Sequence, residues 1–323
     1  MIFVSFLWKA VRRITIGLAV CILAALAAGT IYQFVSTNLD ESNYPPPGQI
    51  LDVEGRSIHL NCTGEGSPTV VLESGLGGGS LDWGLVQPEV AMFSRVCSYD
   101  RAGIAWSSSS DGPRDAIKIT DELHKLLGAA HIAPPFVLVG HSIGGVYVQM
   151  FAARFHNEVA GVVLIDSSHE SQLSRISGIP GFVPYLAKAS APIGIARIVN
   201  NLEDAPNFSP EAKAKRAALY SRNASVYASA DEMSAISDSL AQLRDSPMRL
   251  GDTPLFVLSR GLSEGTSPEI EAAWRELQIE LADRSSNGKL VIAQKSGHYI
   301  HFSEPELVVD AIRKVVRATS NNP

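Results

Sequence analysis

The stretch Phe136-Val137-Leu138-Val139-Gly140-His141-Ser142-Ile143-Gly144-Gly145 decides how this chain is read. An apolar β run ends in Gly140-His141-Ser142-Ile143-Gly144, and a helical pattern begins at once with Val146, Tyr147, Met150 and Phe151. The spacing predicts a strand, a one-residue hinge and a helix. Glycine at 140 and 144 lets the backbone turn sharply and lets strand and helix pack closely. Ser142 would then sit in a strained conformation, its hydroxyl held out at the carboxyl edge of a sheet. The pattern G-x-S-x-G is weak alone, because an ordinary strand-to-helix turn also carries it; the strand and helix around it give it weight. A reactive serine needs a base, an acid to orient that base, and donors for a developing oxyanion.

Working outward, the runs 49–53 and 57–61 flank Glu54-Gly55-Arg56 as a hairpin, and 69–72 and 95–99 read as buried strands. Further strands fall at 159–165, 254–258 and 289–293. Helical patterns fall at 86–93, 115–129, 146 to about 156, 269–282 and 306–318. Alternation of this kind predicts an α/β fold with a mostly parallel, doubly wound sheet of eight strands. The rhythm breaks over about 170–250, where no buried strand pattern occurs. Pro180, Pro184, Pro192, Pro206 and Pro210 punctuate short helical pieces there, and 211–233 reads as one longer helix. This segment is a helical cap inserted between two strands. Its residues Ile176, Ile179, Phe182, Tyr185, Ile193, Ile195 and Ile198 suggest an apolar substrate group or, more simply, form the cap's own core.

With 46% hydrophobic and 19% charged residues the 323-residue chain is globular rather than disordered. A net charge of −6 with no basic stripe excludes nucleic acid as a partner. Lys9, Arg12 and Arg13 precede an apolar run, and no charge occurs between Arg13 and Asp40. Such a run is long enough to cross the hydrocarbon core as a helix. The basic flank predicts residues 1–13 in the cytoplasm, 14–35 as a transmembrane signal anchor, 36–48 as a Pro-rich linker and 49–323 on the extracytoplasmic side. Ala25, Ala27 and Ala28 resemble a cleavage region, which leaves a cleaved, secreted form as the alternative. A typical signal core, however, is only about 7–15 residues. The glycine loop 75–79 has no Lys-Ser/Thr after it and does not fit a phosphate loop. Three cysteines without C-x-x-C, among scattered histidines, give no metal site, and no cofactor is expected.

Four motifs occur in order: Glu73-Ser74-Gly75-Leu76-Gly77-Gly78, Tyr99-Asp100-Arg101-Ala102-Gly103, Gly140-His141-Ser142-Ile143-Gly144-Gly145 and Ser296-Gly297-His298. With them, residues 48–320 resemble an α/β-hydrolase fold protein, a serine esterase or lipase-like member with a helical cap. The resemblance implies Ser142 as nucleophile and His298, in a glycine-containing loop after the last strand, as its base. His301 is the nearest rival, and His169 could enter from the base of the cap; His141 would support the turn. The acid in this family usually follows the strand before the last. That loop, 259–265, holds no Asp, and Glu264 is its one carboxylate. Some members place the acid one strand earlier, where Asp166 stands, although an Asp closing a strand also commonly caps a turn. Asp166 is the first choice and Glu264 the alternative.

The oxyanion hole implied by the resemblance uses the backbone N–H of Ile143, at a helix start, and that of Leu76. Relatives carry His-Gly where this chain has Ser74-Gly75, which leaves open what fixes the loop and makes Gly77 a second candidate donor. Cys62 follows one strand and Cys97 lies within another, and those strands are neighbours in such a fold, so a Cys62–Cys97 disulfide is implied, in an oxidising compartment. Two free buried thiols are the alternative. The resemblance thus implies hydrolysis of a carboxylic ester-like bond in a small, apolar substrate through an acyl-enzyme on Ser142. A serine nucleophile separates the chain from the family's epoxide hydrolases and haloalkane dehalogenases, which attack with Asp. Amidase, lactonase, thioesterase and acyltransferase reactions share the first half-reaction. The missing Asp after Leu258 keeps open a membrane-tethered binding protein without catalysis.

Overall fold

The runs read as strands pair into one eight-stranded sheet in the computed structural model, which describes residues 2–109, 112–200, 205–263 and 265–320. The strands are β1 (Gln49–Val53), β2 (Arg56–Thr63), β3 (Thr69–Glu73), β4 (Val96–Tyr99), β5 (Phe136–His141), β6 (Val159–Ile165), β7 (Leu255–Arg260) and β8 (Gly288–Ala293). Their order is β1-β2-β4-β3-β5-β6-β7-β8; the β1–β2 and β2–β4 pairings are antiparallel and all others parallel. Parallel strands covered on both faces need unbroken apolar runs, and every residue of β3, β4 and β5 is buried.

Helices α1 (Ile2–Asn43), α2 (Gln87–Ala91), α3 (Ala116–Ala129) and α4 (Ile143–Arg154) come first. The cap follows: α5 (Gln172–Arg175), α6 (Val183–Ser190), α7 (Ile195–Asn200), α8 (Pro210–Tyr220), α9 (Asn223–Ser234) and α10 (Ile236–Asp245). Then come α11 (Pro268–Ala282), α12 (Ile300–Ser303) and α13 (Pro305–Ser320). Leu123, Leu126 and Leu127 of α3, Phe151 of α4 and Leu281 of α11 pack with Leu138 and Leu164 on one face of the sheet. Val90 of α2 and Val308, Ile312 and Val315 of α13 pack with Val139 and Val163 on the other. Each fully buried Val, Leu or Ile contributes about 1.5–3 kcal/mol, so these two layers dominate the stability of the domain.

Three local readings change in the structure. β2 extends through Cys62 and Thr63, so Cys62 lies within the strand, opposite Cys97 of β4, and the two sulfurs are bonded. The segment 211–233 is not one helix. It breaks at Ser221, whose carbonyl accepts from Gln33 Nε2 at 2.8 Å instead of continuing the helical ladder, and whose hydroxyl bonds back to Ala217 O. Finally, α1 does not stop at residue 35. Residues 36–43, which composition assigns to the linker, are its last two turns, because Asp40 pairs with Arg197 of the cap at 2.7 Å and Glu41 with Arg222. Pro45, Pro46 and Pro47 then prevent further helix.

Among the described residues none covers the apolar surface of α1 between Leu7 and Leu26, and the helix is long and apolar enough to cross a membrane. The cap residues Ile179, Phe182, Tyr185, Ile195 and Ile198 are also exposed, so they are not the cap's own core.

Candidate active site

Ser142 sits between β5 and α4 with φ 54° and ψ −125°, a conformation that costs an L-residue about 1–3 kcal/mol. Its surroundings leave no alternative. The Ser142 N–H donates to Ile165 O of the neighbouring strand at 3.0 Å, and Ser142 O accepts from Ser168 N–H at 3.0 Å. Glycine is required on both sides. A Cβ on Gly140 would lie 2.7 Å from Gly144 O, and one on Gly144 would lie 2.4 Å from Ser74 O. The same close approach brings the Ser74–Gly75 loop against the hinge.

His298 follows β8, and its Nε2 lies 2.9 Å from Ser142 Oγ. Its Nδ1 lies 2.7 Å from Asp166 Oδ2. With the Nδ1 proton donated to the carboxylate, Nε2 is left as an acceptor for the serine hydroxyl. Asp166 closes β6 and is fully buried. Besides His298 it accepts from Trp274 Nε1 at 2.8 Å, Arg260 N–H at 3.1 Å and Arg260 Nη1 at 2.9 Å. Burial pushes this carboxyl up, but the His298 hydrogen bond and the charges of His298 and Arg260 outweigh it and hold it below the usual Asp range. Asp166 thus stays ionised behind the imidazole. Glu264, the alternative acid, lies outside the described residues.

The remaining histidines do other things. His141 is buried, and its Nε2 donates to His298 O at 3.0 Å. Burial, and then the positive charge of His298, push it down to about 3, so it stays neutral and props up the loop that carries His298. His301 packs against His141 with ring centroids 4.4 Å apart, and burial holds it well below the usual imidazole value. His169 lies at the cap base, bonded to Arg284, and does not reach Ser142.

Leu76 and Ser142 line the same cavity, and Ile143 is the first residue of α4, where an N–H has no partner inside the helix. The Gly77 N–H, the second candidate donor, is taken by Glu232 Oε2 at 3.1 Å. The Ser74 hydroxyl fixes this loop: it donates to Gly79 O at 2.8 Å and accepts from Trp83 Nε1 at 2.8 Å.

Sequence reading missed a second clamp. Arg101, buried after β4, donates to Ser74 O at 2.9 Å and to Gly75 O at 2.6 Å. The same guanidinium pairs with Glu73 at 2.5 Å and with Glu232 of α9 at 2.7 Å. A charged residue closing a buried strand, as Glu73 does, was a usable signal, since its partner must also sit at the sheet edge. Glu232 left none; it is one polar residue among many in a cap helix.

Above this floor lies a cavity of about 830 Å³, walled by Ala187 and Ser190 of α6, Ile195 and Val199 of α7, and Tyr220 of α8. Among the described residues no cluster of His, Cys, Asp or Glu could hold a metal.

A protein from Gibberella zeae described as an AB hydrolase superfamily protein is 28% identical over 314 residues, spanning 88% of this chain and 95% of that one. Other curated relatives are matched over less of their length; the chain spans 22% of one from Schizosaccharomyces pombe and 54% of one from Bacillus subtilis. Among solved structures, an esterase from Thermogutta terrifontis is 22% identical with a TM-score of 0.62, over 84% of this chain and 97% of that one. An enol-lactonase from Burkholderia xenovorans is 18% identical with a TM-score of 0.64, over 83% and 100%. At these identities the two structures share the fold. The family model for the alpha/beta hydrolase family matches residues 70–311, and the chain belongs to that family.

Proposed function

We propose that this hydrolase cleaves carboxylic ester-like bonds through an acyl-enzyme on Ser142. The observation that carries the reading is the continuous chain Asp166–His298–Ser142, at 2.7 and 2.9 Å, beneath a cavity that Ser142 lines. His298 takes the hydroxyl proton as Ser142 Oγ attacks the carbonyl carbon, and Asp166 stabilises the imidazolium that forms. The oxyanion is received by the N–H groups of Ile143 and Leu76, the first helped by the positive end of α4. His298 then returns the proton to the departing alcohol. Water, activated by the same histidine, hydrolyses the acyl-enzyme and restores Ser142.

In this reading α1 is a transmembrane signal anchor, with Lys9, Arg12 and Arg13 on the cytoplasmic side and the hydrolase domain on the other. The Cys62–Cys97 bond suits an oxidising compartment.

The test is a fluorophosphonate probe on the full chain in detergent, read alongside p-nitrophenyl butyrate turnover. The wild type is expected to label and turn over, and Ser142→Ala to do neither. A wild type that does not label, or a Ser142→Ala variant that still does, overturns the assignment.

A further inference from the structure

The cap's exposed apolar residues and the apolar helix α1 belong to one surface. Helix α1 grips the cap along a single stripe. Gly29 approaches so closely that a Cβ there would lie 2.6 Å from Ile193 O. Gln33 is buried and bonds Ser221 O and Arg197 Nε at 2.8 and 2.7 Å, while Asp40 pairs with Arg197 at 2.7 Å. Arg197 points one face of α7 at α1. On the same short helix Ile195 and Val199 line the cavity over Ser142 and are themselves exposed, so they stand at its mouth. The mouth therefore lies beside α1 at the level of residues 29–40.

That level can be compared with a bilayer. Lys9, Arg12 and Arg13 cannot enter the hydrocarbon cheaply, so the apolar span starts near Ile14. About 20 helical residues, or about 30 Å, cross the core, which ends near Gln33. The aromatic residues agree: Trp8 and Tyr32 are exposed at opposite ends, about 36 Å apart along the helix, as interfacial residues are. Tyr32 abuts Gly194, in the turn between α6 and α7. The cap is thus bolted to α1 where the helix leaves the hydrocarbon. Around that point Phe182 is 63%, Tyr185 75%, Leu186 59%, Ile198 64% and Val199 58% exposed. A water-facing surface rarely carries so many large apolar groups together; a surface in the plane of the headgroups does.

We propose that the face formed by 182–199 lies in the bilayer interface on the side away from Arg13, so that the cavity over Ser142 opens onto lipid and takes an ester drawn from the membrane. The contact rests on α1 spanning the bilayer; the substrate class rests in addition on the ester-hydrolase reading of Ser142. The occupant of the face is the bilayer, because the helix that grips the cap is already committed to it. Ile195 and Val199 continue that apolar surface into the cavity without a break.

Two readouts keep contact and chemistry apart. In full-length protein carrying Cys21→Ser, a bimane label is placed through Phe182→Cys, Ile198→Cys or, as a control on α13, Lys314→Cys. The protein is reconstituted into vesicles of dioleoylphosphatidylcholine with brominated phosphatidylcholine. Labels at 182 and 198 are expected to be quenched at least threefold more than the label at 314. Equal quenching at all three sites overturns the proposal, as does shielding of 182 and 198 without quenching, the result for a face covered by a second copy. Turnover is then compared for p-nitrophenyl butyrate in solution and monoolein held in the vesicles. The double variant Phe182→Glu/Ile198→Glu is expected to lose tenfold or more on monoolein and less than twofold on the butyrate. Equal losses on both overturn delivery from the membrane. A wild type quenched at 182 and 198 that hydrolyses neither ester supports the membrane contact and overturns the ester-hydrolase reading instead.

Discussion

Ser142 and Asp166 hang from the ends of the buried strands β5 and β6, and His298 from the loop after the edge strand β8, while the cap above them is held to the rest of the molecule by side-chain packing and side-chain bonds. Ser142 and Asp166 are fixed by backbone bonds to Ile165 O and Leu258 O, at 3.0 and 2.7 Å, so sheet register sets their separation. Among its described residues the cap has no strand. It is fastened to α1 through Gln33, Asp40 and Arg197, and to the floor through Glu232 and through Arg216, which bonds Asp82 at 2.9 Å. The floor can hold atoms to fractions of an ångström, as bond-making chemistry requires. The exposed residues of the cap can differ without disturbing that geometry, as suits a part that selects what enters.

If the two regions divide the work in this way, the largest effect belongs to the floor. Asp166→Asn should reduce kcat/KM for p-nitrophenyl butyrate by about 10⁴, the loss typical when the acid no longer fixes the histidine tautomer. A loss below tenfold would mean that another carboxylate orients His298, and the floor would no longer be defined by β6. Phe182 and Ile198, exposed on the cap and not part of the cavity wall, should move the same assay by less than twofold.

The second effect concerns a place where the regions are locked together. Arg101 stands between the buried carboxylates Glu73 and Glu232 and holds the carbonyls of Ser74 and Gly75. Arg101→Met strands both carboxylates and should cost about 3–5 kcal/mol in chemical denaturation. Glu232→Ala leaves the Arg101–Glu73 pair but frees the Gly77 N–H and removes the tie to α9. It should lower kcat by about 10²-fold through a loosened oxyanion loop, with KM for a short ester nearly unchanged. A change in KM alone would make the Glu232 contact a matter of access and blur the division.

The same contrast explains what the sequence disclosed. Ser142 and His298 are legible because a strand-turn-helix and a post-strand glycine loop are local patterns. Asp166 stays beside Glu264 in the sequence because the choice depends on which strand ends meet. It rests in space on β6 lying beside β7, whose end offers Arg260 and so gives Asp166 a buried cation. Arg101 was visible in Tyr99-Asp100-Arg101 without a role, for its role needs Glu232, 131 residues away. The continuation of α1 through 36–43 was hidden for a similar reason. Its Ser, Thr, Asn and Asp residues favour a linker by propensity, and only partners on the cap make them helical.

The smallest effect is a slope, and it belongs to the histidines buried under the reacting groups. His141 is pushed down to about 3 and His301 well below the usual value, in both cases first by burial. In the unfolded chain each takes up a proton near pH 6.5. Between that pH and its folded value, each binds a proton only when unfolded, so stability is full above about 6.5 and falls as pH drops. The slope is about 1.4 kcal/mol per pH unit for each group. Asp166, whose folded value is depressed below 3.8, adds its loss only at lower pH, while Glu73, which burial pushes above 4.5, acts in the opposite sense just above that value and offsets part of the imidazole slope there. His169 at the cap base is also lowered, by burial first, and contributes with the same sign. Denaturation midpoints below about pH 6.5 should therefore decline with acid, and His301→Gln should remove about one group's share of the slope. If the slope is unchanged in His301→Gln but lost in His169→Gln, acid sensitivity arises at the cap base, and the floor is the more pH-tolerant of the two regions.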